Sequence, residues 1–207
     1  MCVQFFQNSD LQILATYYDA IVPRPFVFKP HVFPRYLSAV LIKDPQSTQI
    51  LPMAFGLIPF FERNEKPKKV FHNARLETLT EKVSFKGPFF ESRCLIPMNC
   101  FFEYIWTSKT EKWLAKFFPK DRQILTAAGI YQLWRSPSGK IVPSYALVTT
   151  EPSPFIRQTG HDRSPLFLKK DVWTQWLEPQ KKSVTELYEL TRSKQPVDFD
   201  VERIDPS

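Results

Sequence analysis

The chain begins "MCVQFF", with a cysteine directly behind the initiator methionine. Removal of Met1 would leave Cys2 with a free α-amine beside its thiol. Such a 1,2-aminothiol does chemistry that no internal cysteine can do. Its amine condenses with an aldehyde to an imine, and its thiol then closes onto the imine carbon to give a five-membered thiazolidine. The amine ordinarily titrates at about 8 and the thiol at about 8.5, so a useful fraction of each is nucleophilic near neutral pH. On position alone the alternative stays open: a small buried residue at the start of a strand.

Three other stretches carry residue types suited to proton transfer or anion binding. In "FHNARLET" (71–78), Asn73, Arg75 and Glu77 alternate with apolar or small residues. Asn73 could orient a substrate oxygen and Arg75 could hold a phosphate; the plainer reading has Asn73 as a helix cap and Arg75 on a solvated face. In "CFFEYIW" (100–106), Glu103 stands among aromatics. On the polar side of a strand it would be unexceptional, whereas lining a pocket it would be a general acid or base. In "TGHDRSP" (159–165), His161 lies in a polar, Gly- and Pro-flanked loop rather than on an apolar stripe, with Asp162 beside it.

The elements that must position these residues read as α+β. "SDLQILATYYDA" opens with a capping box from Ser9 to Gln12 and continues as a helix. "RYLSAVLIKD" and "QILPMAFGLIPF" read as strands around the turn "DPQST", and "FFERNEKPKKVFHNAR" as an exposed basic loop followed by a short helix in "NARLETLTEK". "RCLIPMNCFFEYIW", "KWLAKFF", "QILTAAGIYQLW" and "PSYALVTTE" are four strand candidates in series, with "TSKTEK" a hairpin turn between the first two. "DVWTQWL" places Trp173, Trp176 and Leu177 on one helical face, "SVTELYELTR" carries a capping box from Ser183 to Glu186, and "PVDFDVERI" alternates as a last strand. The expectation is one domain over 1–207, a curled, mostly antiparallel sheet tending to a barrel and flanked by short helices.

Composition narrows the classes. With 207 residues, 43% hydrophobic and 15% aromatic, the chain can bury a real core, and 19 prolines argue against a helical bundle. A net charge of +7 suits a polyanionic partner, though a merely solvated basic surface would look the same. The three cysteines show neither CxxC nor metal spacing, and no signal peptide or membrane-length apolar run is present; the reading is a reduced, intracellular protein with free thiols, and a monomer.

Taken together and in order, Met1-Cys2, "FGLIP" (55–59), "NARLET" (73–78), "RCLIP" (93–97), "FFE" (101–103) and "HDR-P" (161–165) resemble the SRAP family, the SOS-response-associated peptidase or abasic-site-processing proteins that crosslink to damaged single-stranded DNA. The resemblance implies that matured Cys2 captures the ring-opened aldehyde of an abasic deoxyribose as a thiazolidine. By it, Asn73 positions the amine, Glu103 shuttles protons and helps release Met1, and His161 assists sugar-ring opening and crosslink reversal. Arg75 and Arg163 would hold phosphates flanking the lesion, Lys66, Lys68 and Lys69 would track the backbone, and Phe60 and Phe61 would stack on bases. Core packing is the other reading of the two phenylalanines. AP-lyase and autoproteolytic activities are implied as well. No metal or cofactor is implied, because this chemistry needs only proton transfer. The location would be cytoplasmic, with the nucleoid in a bacterium and the nucleus in a eukaryote.

The chain departs from the pattern at several positions. Val3 and Gln4 stand where the family carries glycine and arginine, Leu37 where it carries asparagine, Phe55 for tryptophan, Ser164 for methionine and Cys100 for glycine. Two other functions therefore stay open: a thiol peptidase using Cys2 or Cys100 with His161 and Glu103, and a single-stranded-DNA-binding module without catalysis.

Overall fold

The computed structural model describes residues 2–8, 10–180 and 182–204. Strands β1 (Gln4–Phe6), β2 (His31–Val32), β3 (Leu37–Lys43), β4 (Thr48–Phe55), β5 (Asn73–Arg75), β6 (Arg93–Met98), β7 (Cys100–Trp106), β8 (Lys112–Pro119), β9 (Leu125–Arg135), β10 (Ile141–Thr150), β11 (Ser164–Pro165) and β12 (Phe199–Ile204) alternate with helices α1 (Leu11–Tyr18), α2 (Val83–Glu91), α3 (Pro154–Gln158), α4 (Trp173–Leu177) and α5 (Val184–Arg192). The fold is α+β, as the alternating patterns imply, but the strands form two sheets rather than one. The smaller runs β12-β8-β7-β1-β2; the larger runs β11-β10-β4-β3-β6-β9. Because β9 also pairs with β10, over Ile141↔Arg135 to Leu147↔Gly129, the larger sheet closes on itself as a barrel. Pairing is antiparallel except where β10 runs parallel to β4 and β5.

Strand β10 is the hub. Its first half joins β9 and β4, and its second half receives β5 through Leu147↔Asn73 to Thr149↔Arg75 and β11 through Thr149↔Pro165. Barrel strands are buried on both faces, which their period of two divides between two cores. Leu41, Leu95, Ala146 and Val148 face the helices, with Trp173, Trp176 and Leu187. Val40, Cys94, Tyr145 and Leu147 face the smaller sheet, with Phe101, Phe117 and Cys2. Arg93 ties the helices on. It is 2% exposed and donates from Nε to the Trp176 carbonyl at 2.7 Å and from Nη1 to the Phe89 carbonyl at 2.9 Å, groups that the last turns of α4 and α2 leave without intrahelical partners.

Three local features differ from the sequence reading. "RCLIPMNCFFEYIW" is not one strand but two, divided at Asn99 between the two sheets: Asn99 N–H donates to Phe6 O, and its Oδ1 accepts from Asn8 N–H. Helix α2 runs through Gly87 and Pro88. The cap of α1 is Asp10, whose carboxylate accepts from the Gln12 and Ile13 N–H groups; Ser9 lies outside the described residues. The capping box at Ser183 and Glu186 is present.

The start of the chain is fastened into the molecule. β1 pairs with β7 on one side and β2 on the other. Just beyond it, fully buried Gln7 donates from Nε2 to the carbonyls of Ala39 and Pro97 and accepts from Ala39 N–H, all at 2.8 Å, so one amide bridges β3 and β6. Replacing Gln7 by Leu keeps the volume but strands three buried backbone groups. We expect a loss of about 2–4 kcal/mol and a Tm lower by roughly 5–15 °C. A melting curve within about 1 °C of the parent would contradict this anchoring role.

Candidate active site

The anchored strand draws residue 2 into the core. Cys2 is 1% exposed, its thiol 3.5 Å from Gln4 O. Asn73 opens β5, not a helix, and its Nδ2 donates to the Cys2 carbonyl at 2.7 Å, while its Oδ1 is buried without a hydrogen bond among the described residues. The strand period then sends Ala74 into the core and leaves Arg75 exposed on the same side as Asn73.

Glu103 and His161 meet from separate elements. Glu103, 3% exposed, lies on β7 with Phe101 and Ile105 on the face toward Cys2. His161, 9% exposed, follows Gly160, whose φ of +90° is a backbone angle suited to glycine. Its Nε2 lies 3.1 Å from Glu103 Oε2. Its Nδ1 lies 2.9 Å from the Arg163 carbonyl and 3.3 Å from the Arg163 N–H, so the backbone of Arg163 holds this edge of the ring in either tautomer. An imidazole nitrogen within hydrogen-bonding reach of a carboxylate is an arrangement able to pass a proton.

Arg163 holds that loop. Its guanidinium makes a bidentate pair with Glu77 at 2.9 Å for both bonds and donates to Thr149 O at 2.7 Å. Burial alone would raise the Glu77 carboxyl, but the hydrogen bonds and charge of Arg163 hold it below its usual range. Arg163, for which the family likeness implies a phosphate contact, joins the turn after Asn73 and Arg75 to the histidine loop in this structure.

Val3, Gln4, Phe102, Glu103, Gly160 and His161 line a cleft of 380 Å³, with Tyr104, Trp106 and Lys112 at its side. Gln4 does not point a charge into it; its Oε1 lies 3.1 Å from His31 Nε2, and the His31 ring stacks on Phe102 at 4.8 Å. Tyr104, Trp106 and Lys112 are cleft residues that the sequence reading did not single out. The signal was available in the alternation 102/104/106, which puts aromatics on the face of β7 away from the core.

The basic loop lies apart from these residues in sequence and is organised by Glu62, whose carboxylate accepts from the N–H groups of Arg63, Asn64, Lys68 and Lys69. Those bonds, the one from Asn64 foremost, lower its pKa to about 2. Lys66, Lys68 and Lys69 are all exposed. Phe60 and Phe61 are 53% and 40% exposed, edge-on at 5.4 Å, so they are not core residues.

All three thiols are held neutral. Burial raises Cys2, and the nearby charge of Glu103 raises it further; burial raises Cys94; burial lifts Cys100 to about 11. Cys100 and Glu103 sit an odd number of residues apart on β7 and so face opposite sides, which separates Cys100 from the Glu103–His161 pair. No group of His, Cys, Asp and Glu among the described residues has the makings of a metal site.

A desolvated thiol near a carboxylate–imidazole pair, on a barrel, is the arrangement these residues make. The chain belongs to the SOS response associated peptidase (SRAP) family, whose match runs over residues 1–207. It is 31% identical over 170 residues to the abasic site processing protein YoqW of Bacillus subtilis, covering 82% of this chain and 74% of that one, and 31% identical over 160 residues to YoaM of the same organism, covering 77% and 70%. Among solved structures, a protein from Bacteroides thetaiotaomicron superposes with a TM-score of 0.83 at 23% identity, over 99% of this chain and 92% of the other, a likeness of fold.

Native protein at pH 8 should therefore resist alkylation by iodoacetamide. For Cys100, a pKa of about 11 in place of about 8.5 cuts the thiolate fraction on the order of a hundredfold. Mass spectrometry should find three rapidly modified cysteines only after denaturation. Rapid labelling of Cys100 in the native state would refute its buried, neutral assignment.

Proposed function

We propose that this protein processes abasic sites in DNA, capturing the ring-opened sugar on Cys2 as a thiazolidine once Met1 is removed. The observation that carries the reading is the fastening of Cys2 by Asn73 beside the Glu103–His161 pair. Kinship with proteins named for abasic-site processing supports the substrate class.

The steps follow from these groups. The free amine of Cys2 attacks the aldehyde carbon, and water leaves as the imine forms; Glu103 and His161 deliver and recover the protons. Asn73 Oδ1, buried and unbonded among the described residues, offers an acceptor for the new amine's hydrogens. The thiol then adds across the C=N bond. Its sulfur bonds to carbon, its hydrogen ends on nitrogen, and the whole reaction releases one water. A neutral thiol is no obstacle here, since the charge of Glu103 that disfavours the thiolate is also the base that takes the proton. Running the protons backward through His161 reopens the ring, and the same carboxylate assists release of Met1.

Burial of Cys2 selects for single strands, because only an unpaired, flexible nucleotide can carry its sugar to so enclosed a thiol. Arg75, exposed on the Asn73 side of β5, takes a neighbouring phosphate. Lys66, Lys68 and Lys69 extend the electrostatic path, and exposed Phe60 and Phe61 offer ring surface to bases. The thiol-peptidase reading through Cys100 draws no support from the placement of that residue.

Incubation with single-stranded DNA bearing one abasic site should give an adduct stable to denaturing electrophoresis. Cys2→Ala should abolish it, Glu103→Gln should slow its formation by about 10²–10⁴-fold, and Arg75→Ala should lessen the salt dependence of binding by about one unit of logarithmic slope. Undiminished adduct from Cys2→Ala would overturn the proposal.

A further inference from the structure

Two large aromatic side chains stand bare beside the reactive cleft. Tyr104 is 42% exposed and Trp106 is 59% exposed. They alternate with Glu103 and Ile105 along β7, so the strand that turns its carboxylate toward Cys2 turns these rings the other way. β1 reaches only as far as Gln4↔Phe102, so past that point β7 is flanked by β8 alone among the described strands, and its end forms the rim of the cleft. Phe102, the preceding ring on that face, is covered by His31. Neither Tyr104 nor Trp106 is engaged in a ring–ring contact among the described residues, and one cation lies over both rings. Lys112 pairs across the hairpin with Trp106, and its ammonium lies 4.2 Å from the Tyr104 ring centroid and 5.2 Å from that of Trp106.

Exposing an indole to water is unfavourable, and Trp106 is left more than half exposed. Two rings and an exposed cation at the edge of a cleft that also holds Glu103 and His161 match a nucleotide: a flat apolar base joined to an anionic phosphate. We propose that Tyr104, Trp106 and Lys112 form a subsite for the unpaired nucleotide next to the abasic one, with Trp106 stacking its base and Lys112 taking the phosphate that joins the two. The inference rests on the reading of this cleft as the abasic-site pocket. Continuity with Glu103 and His161 fixes the occupant as an adjoining nucleotide of the same strand. The subsite also lends selectivity, since an abasic site in a run of stacked, paired bases cannot present its neighbour in this way. Lys112 resting on the rings keeps the apolar faces covered until a base replaces it.

The test uses single-stranded DNA carrying a tetrahydrofuran abasic analogue, which has no aldehyde and cannot crosslink, compared with the same strand carrying a second analogue at the 5′ or the 3′ neighbour. Trp106→Ala should weaken binding to the single-analogue strand by about tenfold. Removing the neighbouring base on one side should weaken binding of the parent protein by a similar factor and leave the Trp106→Ala protein with no further loss. Trp106→Phe should fall between, which guards against a hairpin disturbed by alanine, and Lys112→Ala should reduce the logarithmic salt slope by about one while Trp106→Ala leaves it unchanged. A Trp106→Ala penalty that persists when both neighbours lack bases, no penalty at all, or failure of the parent protein to bind the analogue strand would overturn the subsite. Crosslinking of the parent protein to a true abasic strand, measured alongside, separates the two claims. Base-dependent binding through Trp106 without any adduct would retain the subsite and reject the thiazolidine chemistry; an adduct without base dependence would do the reverse.

Discussion

Everything at the site depends on holding the first residues of the chain as if they were core. Chain ends ordinarily fray, because few contacts repay the entropy of ordering them. Here β1 is paired on both sides, Gln7 bridges two barrel strands through three hydrogen bonds, and Asn73 grips the Cys2 carbonyl. Cys2 thereby has the positional precision of an interior side chain, which is what the proposed two-step ring closure requires.

That placement sets the electrostatics. Enclosing Cys2 and placing it near Glu103 keeps the thiol protonated, so its reactivity is conditional on a base rather than standing. Glu103 lies within hydrogen-bonding reach of His161, whose ring edge is held by the Arg163 backbone, and Arg163 is held by Glu77. The short segment from Asn73 to Glu77 thus touches both halves of the site: one end fixes the cysteine and the other fixes the loop that bears the histidine. Strand β10 supports both, since β5 and β11 are paired to its second half.

Much of this was legible in residue order. Alternation gave β3, β8, β9, β10 and β12, and the capping box at Ser183 marked α5. Cys2, Asn73, Glu103 and His161 were singled out by their chemical types and by the family likeness, and the structure brings them together. What stayed hidden has physical causes. A single residue, Asn99, passes the chain from one sheet to the other, and no periodicity of apolar residues registers a change of partner. Gly87 and Pro88 disguise α2, whose stability comes from burying Phe85 and Phe89 rather than from propensity. Glu77 and Arg163 are far apart in sequence, and only the fold makes them a pair. Exposure of Trp106 likewise depends on where β1 ends.

The central claim is that both the nitrogen and the sulfur of Cys2 enter the product. Its most direct test is to digest the protein–DNA adduct with nuclease and protease and sequence the modified peptide by mass spectrometry. A peptide beginning at residue 2, carrying the sugar remnant minus one water and lacking a free thiol at Cys2, is the predicted result. An unmodified peptide from the chain start, with the sugar found on a lysine or on Cys100, would contradict it.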